Sequence, residues 1–200
     1  TGSLSSSASA VTVQTGATLN VTGAISRPVT IDSGGTLSGN GAQFNSSVTI
    51  NGTHSPGSSP GLQTLSSGLT YGSTATLNVE LVGDTLGSRG TDYDGIDVTG
   101  GNLSIDPSAT FNLIASAIDY ASAVWDVDRS FNIIDLTGGS FSGGMFALNT
   151  SNAGSFASEG SWSLAGVSGD VVLNWTAVPE PASALLGGLG LMLLLHRRSR

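Results

Sequence analysis

A short internal period constrains this chain more than any other feature. Val13-Gln14-Thr15-Gly16-Ala17-Thr18-Leu19 lines up with Ile31-Asp32-Ser33-Gly34-Gly35-Thr36-Leu37, 18 residues on. Val29-Thr30-Ile31 recurs as Val48-Thr49-Ile50, 19 residues on. Each unit is an alternating apolar-polar run followed by a turn containing glycine. Alternation marks a strand with one face buried. Glycine at fixed phase supplies corners that need φ > 0. A rung of this length cannot bury its apolar side alone. Stacked rungs can, and each pairs its backbone with the rungs above and below. The expectation is an all-β chain folded as a parallel β-helix, or β-solenoid, over residues 11–115, with residues 1–10 the leading segment of a fragment or processed chain.

Composition fits this reading. Gly, Ser, Thr and Asn make up 92 of 200 residues, and only 10% are charged. Leu, Ile, Val and Phe still number 51, enough for a core rather than a disordered chain. There is no Cys, which excludes a disulfide framework and a thiolate metal site. There is no Lys; residues 1–178 hold 13 acids against Arg27, Arg89 and Arg129. That surface repels phosphate backbones, so nucleic acid is excluded as an expected partner.

Further along, Thr53-His54-Ser55-Pro56-Gly57-Ser58-Ser59-Pro60-Gly61 reads as a turn that interrupts the period, with His54 a turn histidine. Strands are expected again at Leu69–Tyr71, Ala75–Leu81, Ile96–Val98, Leu103–Ile105, Thr110–Leu113, Phe131–Leu136, Trp162–Leu164 and Val171–Trp175. Residues 113–126 are the one helix candidate of the body, with Leu113, Ala117, Tyr120 and Val124 on a face; a loop holding a short helix fits as well. All three tryptophans, Trp125, Trp162 and Trp175, fall within residues 116–177. Aromatics closing the open end of a solenoid would explain this, so that region is expected to be a C-terminal β cap.

Sites with chemistry are few. Asp84, Asp92, Asp94 and Asp97 lie in a Gly-containing stretch near Arg89. Carboxylates so grouped could bind Ca²⁺, and β-helical polysaccharide lyases combine such groups with a basic residue. The spacing Asp92-x-Asp94-x-x-Asp97 lacks the glycine and terminal glutamate of an EF-hand loop, and Asp97 alternates with Ile96 and Val98 as a solvent-facing residue would. Asp126, Asp128, Asp135 and Arg129 read as a solvated face with a local ion pair. No nucleophile elbow, phosphate-binding loop or dinucleotide fingerprint occurs. No catalytic residue, metal or cofactor is assigned; Asp92, Asp94 and Asp97 remain the weak Ca²⁺ candidate. A carbohydrate-active enzyme or Ca²⁺-dependent polysaccharide-binding module is the alternative to a non-enzymatic protein.

The last 23 residues, 178–200, carry the most specific signal. Val178-Pro179-Glu180-Pro181 is followed by an apolar run containing Leu185, Leu186, Leu189, Leu191, Met192, Leu193, Leu194 and Leu195, then His196, Arg197, Arg198, Ser199 and Arg200. The prolines end a strand and set an extended spacer. The leucines partition into hydrocarbon, and the arginines stay cytoplasmic. This tail resembles the PEP-CTERM protein-sorting signal of bacteria. Val178–Pro181 match its motif, Leu185–Leu195 its short membrane helix, and Arg197, Arg198 and Arg200 its basic anchor. The resemblance implies an exosortase-type enzyme as partner, transient residence in the inner membrane, cleavage near the motif, and delivery to the cell surface or extracellular matrix. A permanently tail-anchored membrane protein is the alternative. The departure from the family is that the apolar run is somewhat short and that its Gly187, Gly188 and Gly190 weaken a helix.

Residues 10–115 resemble the autotransporter-associated type of β-helical passenger repeat, through the Ser-Pro-Gly turn, Thr76-Leu77-Asn78-Val79-Glu80-Leu81 and Asp92-Tyr93-Asp94-Gly95-Ile96-Asp97-Val98-Thr99-Gly100. That likeness implies a right-handed β-helix on the outside of a cell and no catalytic residues. The missing catalytic constellation and the hydroxyl-rich composition point to a structural or adhesin-like protein, with extracellular polysaccharide or neighbouring copies as partners.

Overall fold

A computed structural model describes residues 9–57, 60–82 and 87–178. The chain coils through three sheets, adding about one strand to each per turn. The first turn comprises β1 (Val11–Val13), β2 (Thr18–Asn20) and β3 (Ala24–Ile25). The second comprises β4 (Val29–Ile31), β5 (Thr36–Ser38) and β6 (Gln43–Phe44). The third comprises β7 (Val48–Ile50), β8 (Thr53–Ser55) and β9 (Leu62–Leu65), and the fourth β10 (Leu69–Tyr71), β11 (Thr76–Glu80) and β12 (Gly95–Val98). The fifth comprises β13 (Asn102–Ile105), β14 (Thr110–Ile114) and β15 (Arg129–Leu136), and β16 (Ser140–Gly143) and β17 (Ala147–Asn152) begin a sixth. The first sheet runs β1-β4-β7-β10-β13-β16 and the second β2-β5-β8-β11-β14-β17, all parallel. The third runs β3-β6-β9-β12-β15 in parallel and continues into the antiparallel β19 (Asp170–Ala177) and β18 (Gly160–Val167). The fold is all-β, with the stacked parallel sheets of a β-solenoid. Among the described residues no helix is long and apolar enough to cross a membrane.

Register explains why the sequence period works. Val11, Val29, Val48, Leu69, Leu103 and Phe141 form one column across the first sheet, and Val13, Ile31, Ile50, Tyr71 and Ile105 the next inward one. Because side chains alternate between faces, a shift of one residue would turn an entire column outward. From Val29 to Ile105 the apolar members of these columns are buried. Rungs lengthen towards the C-terminus because loops are inserted between β11 and β12 and between β14 and β15, while the strands keep register. At Gly39 the corner requires φ +119°, and a Cβ there would overlap the Val21 backbone of the rung beneath.

Two local expectations change. Residues 113–126 are not a continuous helix: β14 extends to Ile114, and the helical part is one 3₁₀ turn, Ala123–Trp125. The parallel partner β11 captures Thr110–Ile114 as a strand, and the rest follows the loop-with-short-helix alternative. The turn after β7 also begins later than its composition suggests. Thr53–Ser55 is a strand between β5 and β11, and the reversal starts at Pro56.

Aromatic side chains gather where β15 meets the β18–β19 hairpin. Tyr120, Trp125, Phe131, Phe156, Trp162 and Trp175 form a cluster with ring centroids 5.1 to 6.3 Å apart. Their polar atoms have partners. Trp175 Nε1 donates to the Trp125 carbonyl at 2.8 Å, Trp162 Nε1 to the Tyr120 hydroxyl at 3.3 Å, and that hydroxyl to the Ala153 carbonyl at 2.7 Å. The β18–β19 hairpin turns through Ser168 and Gly169, both at positive φ, as a tight hairpin with right-handed twist requires.

Candidate functional site

The outer surface of the stack is built by the same alternation that builds the core. On the first sheet Thr12, Thr30, Thr49, Thr70, Ser104 and Ser142 lie in one outward row. On the second, Thr18, Thr36, Thr53, Thr76 and Thr110 form a row, and Asn20, Ser38, Ser55, Asn78, Asn112 and Asn149 another two residues along each strand. Neighbouring strands repeat about every 4.8 Å. The asparagines bond along the stack: Asn78 Nδ2 donates to Ser55 Oγ at 3.2 Å, Asn112 Nδ2 to Asn78 Oδ1 at 3.0 Å, and Asn149 Nδ2 to Asn112 Oδ1 at 3.3 Å. These bonds hold the amides in one orientation and give the face an ordered, uncharged array of donors and acceptors. The sequence offered a partial signal, Thr18 and Thr36 at one phase of the repeat; the rows become visible only once the longer rungs are placed in register.

The acidic stretch takes up three separate tasks. Asp92 Oδ2 accepts from the Ser88 backbone N–H at 2.7 Å within the loop. Asp94 turns inward and is buried, accepting from the Gly61 N–H at 2.7 Å and the Glu80 N–H at 2.8 Å. Desolvation raises its pKa to about 6, against these two bonds, which favour the carboxylate. Asp97 faces outward beside Asp135 on the neighbouring strand. Arg89 holds the two, donating to Asp97 Oδ1 at 2.6 Å and Asp135 Oδ2 at 3.1 Å. Three different directions thus serve Asp92, Asp94 and Asp97, and among the described residues no three His, Asp or Glu side chains could hold a metal ion together. Asp84 lies outside the described residues.

Arg129 differs from the local ion pair expected of it. Its guanidinium donates twice to the Val124 carbonyl, at 3.0 and 2.8 Å, while Asp128 Oδ1 accepts from the Ala177 N–H at 3.0 Å.

His54 departs furthest from its sequence reading. It is a core residue, occupying the inward column Leu19, Leu37, His54, Leu77, Phe111 and Leu148. Its Nδ1 lies 2.7 Å from the Tyr71 hydroxyl and its Nε2 2.9 Å from Gln63 Oε1. Gln63 Nε2 donates to the Gly39 carbonyl at 2.7 Å. That last bond fixes the chain: Gln63 presents its oxygen to the imidazole, so Nε2 carries the proton and Nδ1 accepts from Tyr71. His54 sits inside what composition marks as a turn and Gln63 just after it, so no alternating pattern announces their inward direction.

Of the tail, Val178 is half exposed and its N–H donates to the Glu159 carbonyl at 2.8 Å. Pro179, Glu180 and Pro181, the leucine run from Leu185 to Leu195, and Arg197, Arg198 and Arg200 lie outside the described residues. No protein-family model matches the chain, and no curated protein matches it either.

Proposed function

We propose that this chain is an exported, non-enzymatic structural or adhesin-like protein of the cell surface or extracellular matrix. Its address is the tail: Val178–Pro181, then the apolar run as a short membrane helix, then the arginines. An exosortase-type enzyme removes that tail after a transient stay in the inner membrane. The delivered body is a right-handed β-solenoid, the hand following from the crossover tendency of parallel strands. Extracellular polysaccharide or neighbouring copies are its partners; no cofactor is involved, and nucleic acid is not a partner.

The observation that carries the reading is the pairing of this tail with a body whose polar side chains are ordered into surface rows. The carboxylates best placed for chemistry are occupied by backbone N–H groups and by Arg89. Such a body resists unfolding and presents repeated weak contacts, which suits a scaffold. Mass spectrometry of the chain recovered from the native host is the test. The expected result is a surface or extracellular form whose C-terminus lies near Pro181, lacking Leu185–Arg200. Recovery from the membrane with Arg200 retained would mean a permanent anchor. An intact soluble cytosolic form would end the proposal.

A further inference from the structure

The hydrogen-bonded chain through His54 joins all three sheets across the interior. His54 belongs to β8 in the second sheet, Tyr71 to β10 in the first, and Gln63 to β9 in the third; the chain ends on Gly39, in the rung below. Along the stack the column holding His54 is otherwise leucine and phenylalanine, that of Tyr71 is valine and isoleucine from Val13 to Ile105, and that of Gln63 continues as Ile96 and Ile134. Here the core spends one layer on polar groups, and each is satisfied only in one proton arrangement.

We infer that this brace is an acid-opened seam: protonating His54 inside the stack parts the third and fourth rungs while the rungs on either side stay closed. With both ring nitrogens protonated, Nδ1 can no longer accept from Tyr71. The phenol must turn to accept instead, and its own proton then has no partner in the chain described above. The added charge lies fully buried. The elements packed around the imidazole offer nothing to neutralise it. β5 and β11 present Leu37 and Leu77, β9 presents Gln63, and β10 presents Tyr71. Only Tyr71 among these titrates, and burial holds its phenol well above its ordinary range. Opening the rungs hydrates the imidazolium, so in acid His54 favours the open form. Asp94, bonded to the Gly61 and Glu80 N–H groups nearby, contributes in the opposite sense and does so equally in wild type and in variants of the His54 chain.

The site supports this independently of where the protein resides. Desolvation lowers the His54 pKa from 6.5 to about 4, with the Gln63 bond acting weakly the other way. A group with a depressed folded value stabilises above its unfolded value and loses that stabilisation as pH falls through the window between them.

Amide hydrogen exchange on the full chain, corrected for the intrinsic pH dependence of exchange, tests the seam. Between pH 7 and pH 4.5, protection in β8, β9 and β10 should fall roughly fifty- to hundredfold relative to a His54→Leu/Gln63→Leu/Tyr71→Phe variant. That variant replaces the three side chains together, so that of this chain only the Gly39 carbonyl loses its donor. His54→Gln, which cannot titrate but can still donate and accept, should lose the same acid sensitivity. Nuclear magnetic resonance of the wild-type imidazole needs no variant: the neutral Nε2–H form should persist well below pH 6.5 and convert only as those strands open. Equal loss of protection in wild type and variants, or His54 titrating near pH 6.5 with protection intact, would overturn the seam.

Discussion

The middle of the solenoid and its C-terminal end both bury polar atoms among apolar ones, by different means. In the middle, Tyr71, His54 and Gln63 are joined end to end, each partner satisfied by the next. At the end, Trp125, Trp162 and Trp175 bury large rings, and the Nε1 groups of Trp162 and Trp175 reach the Tyr120 hydroxyl and the Trp125 carbonyl. The middle is a sequence of hydrogen bonds that depends on one protonation state. The end is mainly contact area, which does not titrate. A parallel stack needs both: rungs inside it share backbone bonds with two neighbours, whereas the last rung must cover its apolar side by other means.

The largest expected effect tests the end. Trp175→Ala removes a fully buried ring and the bond to the Trp125 carbonyl, and should cost about 3–5 kcal/mol. Urea unfolding followed by tryptophan fluorescence measures it. A loss below about 1 kcal/mol would show that the aromatic cluster does not hold the end closed.

The next effect concerns pH and separates the two regions. His54 has a folded pKa lowered from 6.5 to about 4, and Asp94 has one raised from 3.8 to about 6. As pH falls from 6.5 to 4 the unfolded chain takes up a proton at His54 before the folded one does, so stability is lost. Over nearly the same window the folded chain takes up a proton at Asp94 before the unfolded one does, so stability is gained. Each shift corresponds to about 3 kcal/mol, and the two oppose each other. Wild-type stability should therefore change little across that window, whereas Asp94→Asn should lose about 3 kcal/mol on acidification. Denaturant titrations at several pH values check this; a flat profile in Asp94→Asn would break the opposition. The aromatic end should show no such dependence in either protein.

Much of this architecture is legible in the residues. Val11–Val13, Val29–Ile31 and Val48–Ile50 alternate and recur, and they stack where that period puts them. Trp125, Trp162 and Trp175 lie near one another in the chain, and their rings meet in space. Short strands are harder. β3 and β6 carry two residues each, too few for alternation to show, and β16 is exposed along its whole length; their conformation comes from the rung beside them. The His54 layer is hidden for another reason. Thr53-His54-Ser55 is polar by composition, and its inward direction follows from pairing with Thr36-Leu37-Ser38, a long-range constraint. Asp94 is hidden likewise, since Gly61, one of its partners, lies 33 residues away. Local pattern reports which face is buried when the face is apolar; it is silent where the interior is polar.

A smaller effect is expected on the outside of the third sheet. Asp97 and Asp135 are direct neighbours across two strands, an arrangement that repels unless a cation lies between them. Arg89→Ala should cost about 1–2 kcal/mol, because it removes bonds to both carboxylates and to the Ile96 carbonyl. Part of the loss is repulsion between partly exposed charges, so raising salt should recover some of it. The comparison to make is with Trp175→Ala at low and high salt: only the arginine variant should respond.

The smallest effect tests whether the surface rows stabilise the stack or merely decorate it. Asn112 donates to Asn78 and accepts from Asn149 and Asn152. These groups are partly exposed, and water replaces any bond that is removed, so Asn112→Ala should cost only about 0.5–1 kcal/mol. If the amides act as a continuous ladder, Asn78→Ala in the same chain should cost less than the sum of the two separate changes, because their shared bond is lost only once. Strict additivity in that double-mutant cycle would mean that each amide bonds independently with water. The row would then be a consequence of the repeat rather than a source of its stability, and the interior and the aromatic end would carry the fold between them.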